Sequence, residues 1–254
     1  MSVVWKYMAP ETRAALSARL VAVSPMCPHS TSITFTGLNK MGATWASLPV
    51  AVRAALESSC PLPSQATEQI VANILHSLGS MGVSYSEDLL DDTKHRLESS
   101  FTAVASSFTS QGLSNAVYGF AKMGHQCGDW SEQLLGSFEE ALFRDRPSSV
   151  GRMGDQSVSN IVWSLGQCGA VWPDADRDID ISAIGVGMGV GGFGVKYRVS
   201  SESSAMISMS IKNKAHLMSE QGLSNTLMGL AKVRCIDRIR HRPIYRQATR
   251  YTDN

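Results

Sequence analysis

Gln111-Gly-Leu-Ser-Asn115-Ala-Val-Tyr118-Gly-Phe-Ala-Lys122-Met-Gly124 decides how this chain is read, because the chain writes it four times. The other copies are Gln69-Ile-Val-Ala-Asn73-Ile-Leu-His76-Ser-Leu-Gly-Ser80-Met-Gly82, Gln156-Ser-Val-Ser-Asn160-Ile-Val-Trp163-Ser-Leu-Gly-Gln167-Cys-Gly169 and Gln221-Gly-Leu-Ser-Asn225-Thr-Leu-Met228-Gly-Leu-Ala-Lys232-Val-Arg234. A degenerate fifth copy spans 29–42, with His29 and Ile33 in place of the Gln and the Asn. Self-similarity at a fixed long interval is the mark of a stacked repeat array, in which no single unit can bury its own apolar face.

With the Gln as position 0 and 100° of rotation per residue, each copy becomes a two-faced helix. Positions 2, 6 and 9 (Leu113, Val117, Phe120) form an apolar stripe. Positions 0, 4, 7 and 11 lie within about 60° of one another on the opposite side. That stripe is Gln111, Asn115, Tyr118, Lys122 in one copy; Gln69, Asn73, His76, Ser80 in another; then Gln156, Asn160, Trp163, Gln167 and Gln221, Asn225, Met228, Lys232. The closing Gly suits a helix C-terminus, where a left-handed residue without Cβ is favoured.

Working outward, a second helix follows each motif. Motif helices are expected near 67–81 and 109–123 and from about Asp155, and partner helices near 86–107 and 130–144. Trp45, Tyr85, Trp130 and Trp172 follow the closing glycines and are expected to plug the corners of the hairpins. Trp5 to Leu16 aligns without a gap with Trp45 to Leu56, so residues 5–28 read as the second helix of a partial unit, a transit peptide being the competing reading. The units are then 5–28, 29–64, 65–108, 109–153, 154–218 and a partial 219–254 with a basic end. The fold expected is all-α: an α-solenoid of stacked helix hairpins in one domain, with one disordered insertion.

The insertion is inferred from spacing. Asn160 and Asn225 are 65 residues apart, against 42 and 45 for the earlier steps, and the excess is a Gly-, Ser- and Asp-rich tract at 173–204. Within it Gly189-Val-Gly191-Gly-Phe-Gly194 matches a phosphate-loop pattern, but Val195-Lys-Tyr-Arg-Val199 supplies neither the following helix nor a kinase-type lysine strand. Asp174, Asp176, Asp178 and Asp180 mimic a calcium loop, yet Ile179 stands where the turn glycine belongs. A flexible insertion is the simpler reading.

Composition narrows the function classes. The chain has 254 residues, is 43% hydrophobic and carries a formal net charge of +1. That near-neutrality hides a basic end, in which Lys232, Arg234, Arg238, Arg240, Arg242, Arg246 and Arg250 face only Asp237. No apolar run approaches the roughly 20 residues that cross a bilayer, so no membrane partner is expected. The five cysteines are scattered and never arranged as C-x-x-C, which reads as reduced thiols without zinc. The six histidines show no metal spacing and no nucleophile motif is present, so neither an enzyme, nor a cofactor, nor a small-molecule substrate is expected.

The motif Gln-x-Leu-Ser-Asn-x-Val/Leu-x-x-Leu/Phe-Ala-Lys-x-Gly resembles the first helix of octotricopeptide-type repeats, and is similar to repeats of RAP-domain and FAST-kinase-like organellar proteins. The resemblance is best at Gln111–Gly124 and Gln221–Lys232, and the spacing is longer than is usual in that family. It implies a helix-pair solenoid that binds organellar RNA and acts in its stability, processing or translation, in a mitochondrion or plastid; otherwise the protein is placed in the cytoplasm.

Physical chemistry points the same way. Stacked hairpins set the motif helices side by side, each offering amides for a base edge, a flat side chain for stacking and a cation for phosphate. The residues expected on single-stranded RNA are Asn73, His76, Asn115, Tyr118, Lys122, Asn160, Trp163, Gln167, Asn225 and Lys232, with Arg238, Arg240 and Arg242 adding electrostatic affinity. Two alternatives stay open at this point. The stripe could be inter-repeat core, with each Asn bonded to its neighbour's backbone, and the solenoid could be a protein-binding scaffold that never touches RNA.

Overall fold

The computed structural model describes residues 4–143, 153–170 and 199–233. Among these the chain forms ten α-helices: α1 (Pro10–Ala22), α2 (Pro28–Lys40), α3 (Val50–Ser58), α4 (Glu68–Ser80), α5 (Asp91–Val104), α6 (Ser110–Lys122), α7 (Glu132–Phe143), α8 (Asp155–Gln167), α9 (Ser201–Lys214) and α10 (Glu220–Lys232). The even-numbered helices carry the motif and the odd-numbered ones are their partners. The fold is all-α and solenoid-like.

Local chemistry sets the ends of the motif helices. Thr67, Thr109 and Ser219 cap α4, α6 and α10, each side chain accepting from a backbone N–H three residues on. At the other end Gly42, Gly82, Gly124 and Gly169 have φ of 67°, 74°, 78° and 74°, the left-handed conformation that glycine adopts without a Cβ penalty. The following residue closes the cap in all four helices. Ala43, Val83, His125 and Ala170 donate to the carbonyls of Leu38, Leu78, Phe120 and Leu165 at 3.0–3.2 Å.

Tertiary packing builds two rows. In the tighter row α2, α4, α6, α8 and α10 lie side by side, while in the second α1 packs on α3, α5 on α7 and α7 on α9. Like positions meet along the motif row, His76 on Tyr118 and Tyr118 on Trp163, so neighbouring motif helices run parallel. Between the rows runs one continuous hydrophobic cluster from Trp5 to Val233. Leu113, Val117 and Phe120 are at most 1% exposed within it, as their stripe requires.

Backbone approach at two junctions depends on glycine. A Cβ on Gly119 would lie 2.3 Å from the Leu75 carbonyl oxygen, and one on Gly79 2.7 Å from the Gly119 oxygen. The α8–α10 junction repeats this, with Gly166 and Gly229 against each other's helices at 2.5 and 2.4 Å. Serine or alanine fills the same positions elsewhere: Ser77, Ala121, Ser164 and Ala231. Position 8 faces the preceding motif helix and position 10 the following one. Gly37, at position 8 of the first described motif helix, accordingly has open space around it.

Some expectations shift in register. The fifth-row partner begins earlier than the spacing suggested: Val199 is buried, Ser200 caps α9, and residues 201–204 are its first turn, so 199–204 belongs to the repeat and not to the insertion. The rest of that tract through 198, including the glycine pattern and the aspartate series, lies outside the described residues, as do the corner residue Trp172 and the basic end from 234. The α5 helix starts at Asp91, later than expected, because 84–90 forms the corner turn. There the buried Glu57 of α3 reaches across and accepts from the Leu90 N–H and the Thr93 hydroxyl, both at 3.0 Å, capping α5 from the previous unit. The corner aromatics also differ from the simple pattern. Trp45 and Tyr85 occupy equivalent places, whereas Trp130 sits three residues beyond Cys127, which holds that place in the next unit.

A buried polar cluster joins the second and third units. Tyr85 stacks on His125 at 3.8 Å between ring centres and donates its hydroxyl to Glu98, while His125 Nε2 lies 3.2 Å from the same carboxylate oxygen. Burial raises the Glu98 carboxyl, but the contacts with His125 and Tyr85 outweigh it and hold the group below its ordinary value. A carboxylate whose pKa is lower in the folded chain adds stability above its unfolded value, about 4.3, and loses it as pH falls through the folded one. Urea midpoints are therefore expected to drop between pH 5 and pH 3. The drop should be smaller in Glu98→Gln, and equal drops in the two proteins would remove Glu98 as a contributor.

Candidate nucleic-acid interface

The 0, 4, 7, 11 stripe comes to the surface. Gln69, Gln111, Gln156, Gln221, Lys122, Lys232 and Met228 are exposed, and Asn73, Asn115, Asn160, Asn225, His76, Tyr118, Trp163 and Gln167 are half-buried. The side chains at position 7 then meet from helix to helix. His76 stacks on Tyr118 with ring centres 5.8 Å apart, and Tyr118 lies 4.9 Å from Trp163. The Lys122 ammonium is 5.7 Å from the Tyr118 ring centre and 5.9 Å from that of Trp163, a cation shared by two π-faces. Burial, and then Lys122, push the His76 imidazole below its ordinary value, so it is a neutral ring at pH 7. The result is an aromatic ladder across three helices, open to solvent along one edge.

The position-7 rings are not separate platforms, each waiting for a base, because they already rest on one another. The spacing excludes a base sandwiched between two rungs. What remains available is the ladder's outer edge, together with Trp163 beyond Tyr118.

The polar side chains of the stripe behave differently from junction to junction. Asn73 donates to the Ser32 hydroxyl at 3.3 Å, tying α4 to α2. Lys232 donates to the Gln167 carbonyl oxygen at 2.7 Å, tying α10 to α8. Between α6 and α8, however, Gln111, Asn115, Gln156 and Asn160 line an open cavity of about 510 Å³, joined by Ser114 and Ser157. Asn115 and Asn160 there make no side-chain hydrogen bond to another described residue, so each leaves two donors and an acceptor for a ligand. Asp155 also lines the cavity at the start of α8, where a carboxylate complements the helix dipole. The groove therefore offers neutral amides beside one carboxylate, while the cation of the ladder is Lys122.

The predicted site residues thus divide into three groups. His76, Tyr118, Trp163 and Lys122 are brought together on one surface, with Asn115 and Asn160 in the adjoining groove. Asn73, Gln167 and Lys232 are engaged in inter-helix bonds, and Asn225 is half-buried at the last described helix. Arg238, Arg240 and Arg242 lie outside the described residues. Sequence reasoning missed the small residues at positions 8 and 10, which set the spacing that lets the rungs touch. Their signal was present as Gly or Ser at 8 with Ala or Gly at 10.

No protein-family model, curated protein or solved structure matches this chain. Among the described residues no helix is long and apolar enough to cross a membrane, and no group of three or more metal-ligating side chains is found.

Proposed function

We propose that this protein binds single-stranded RNA along the motif-helix row, as a binding module and not an enzyme, and acts in the stability, processing or translation of organellar RNA. The observation that carries the reading is the half-buried ladder of His76, Tyr118 and Trp163, open along one edge, with Lys122 over the rings and a groove of unpartnered amides beside them. Aromatic edges and faces take bases of any sequence, amides discriminate base edges, and cations hold the backbone. The cavity has the volume of a small-ligand site, large enough for a nucleotide. The organellar setting rests on the resemblance of the motif.

Fluorescence anisotropy with a labelled single-stranded RNA tests this. Tyr118→Ala is expected to lose roughly 1–3 kcal/mol of affinity, about the worth of one stacked base. Replacing Arg238, Arg240 and Arg242 with alanine should weaken all RNAs alike and flatten the salt dependence. No binding at low salt would end the RNA reading.

One observation favours a second reading. On α9 and α10 Met209, Leu223, Leu227 and Met228 are 54%, 43%, 38% and 51% exposed, which suits a protein partner at that end of the row. Failure to bind RNA together with capture of a defined protein through α10 would make the scaffold the better account.

A further inference from the structure

Among the described residues four corners make the same backbone hydrogen bond to the next motif helix, and at one of these four the two residues change chemistry. The N–H groups of Trp5, Trp45 and Tyr85 donate to the carbonyls of Met41, Met81 and Met123 at 2.8, 2.9 and 2.9 Å. At the fourth junction Cys127 donates to Cys168 at 2.9 Å. An aromatic–methionine pair is thus replaced by two cysteines, and Trp130 fills the neighbouring space. Both cysteines are free and 1% exposed, and the backbone bond between them sets the two side chains at the same corner of the array. Residues joined by one such backbone bond have α-carbons within the range, about 4.4–6.8 Å, that a disulfide spans.

We propose that Cys127 and Cys168 form a redox-responsive dithiol, which hydrogen peroxide converts into a disulfide stapling the third unit to the fourth. The thiolate of one cysteine attacks a peroxide oxygen and the O–O bond breaks, leaving a sulfenic acid and, after protonation of the departing hydroxide, one water. The sulfur of the second cysteine then displaces the sulfenic hydroxyl, forming the S–S bond and a second water. Two thiols lose two electrons and two protons, and one peroxide is reduced to two waters. Burial, followed by the neighbouring Cys168, pushes the Cys127 thiol up, so Cys127 rests protonated and reacts slowly, on local opening. Cys60 is equally buried without a thiol neighbour, its thiol pushed up to about 12 by burial above all, and Cys27 is exposed; these serve as internal references. The staple would fix the α6–α8 junction.

The test treats the intact folded protein with hydrogen peroxide, alkylates the remaining thiols and maps peptides by mass spectrometry without reductant. A cross-linked peptide containing Cys127 and Cys168, two hydrogens lighter than its parts and released by dithiothreitol, is expected. The melting temperature should rise by roughly 5–10 °C on oxidation and fall back on reduction. Recovery of both residues as thiols while Cys27 is fully oxidised would overturn the proposal. So would pairing of either one with Cys27, Cys60 or Cys235, or irreversible oxidation without a cross-link. Cys168→Ala should abolish the temperature rise; if that variant fails to fold, the peptide map of the unaltered protein decides alone.

Discussion

Gly119→Ala is expected to destabilise the array by about 3 kcal/mol, the upper end of what overpacking costs. The added Cβ would meet the Leu75 carbonyl oxygen at 2.3 Å, the Leu75 carbonyl carbon at 2.4 Å and the His76 nitrogen at 2.8 Å. All three are backbone atoms of α4, so no side chain can swing aside and the two helices have to separate. Separation also pulls His76 off Tyr118, so the variant should lose both stability and the ladder. Gly136→Ala is the opposite control: Gly136 lies inside α7, exposed, with nothing within 4 Å of an added Cβ. There alanine should gain about 0.5–1 kcal/mol from helix propensity. Urea denaturation of both variants checks the pair. If Gly119→Ala costs less than about 0.5 kcal/mol, within the scatter of ordinary surface changes, the close approach does not hold the row together.

Phe120→Ala is expected to cost about 3–5 kcal/mol, as for other fully buried aromatics. Its ring is unexposed and lies 5.4 to 6.1 Å from the rings of His125, Trp130, Phe101 and Tyr85, so truncation empties the space between the rows. Tyr118, two residues earlier on the same helix, is half-buried on the outer face, and Tyr118→Ala should cost about 1–3 kcal/mol of stability, its ring contacts with His76 and with Trp163 both being lost. Thermal and urea unfolding compared with RNA anisotropy separate the two faces of α6. A stability loss at Tyr118 as large as that at Phe120, with RNA affinity unaltered, would make the ladder core and retire it as a binding surface.

Much of the fold was legible in order along the chain because the information was local and repeated. Leu113, Val117 and Phe120 recur at one helical face, Gly124 marks the end, and the aligned Trp5 and Trp45 announced a partner helix before the first full motif. Boundaries were less legible where another unit supplied the terminating chemistry, as when Glu57 caps α5 and delays its start to Asp91. Val199 and Ser200 were misplaced for a related reason: a Ser- and Gly-rich run looks the same whether it belongs to a loop or caps a helix.

For the candidate site, helical geometry alone placed Asn115, Tyr118 and Lys122 on one face, since 100° per residue is a property of the backbone. It could not say whether that face meets solvent or a neighbour. That depends on the sides on which adjacent helices dock, and small residues at positions 8 and 10, about 80° to either side of the stripe, direct the contact to the flanks. Nor could periodicity show that Asn73 is tied to Ser32 while Asn115 and Asn160 are free, because a side chain's partner sits on another helix about forty residues away. Each helix and its two faces follow from short-range rules of rotation and capping; which polar groups remain unpaired, and which rings touch, is set only when helices distant in sequence come within van der Waals contact.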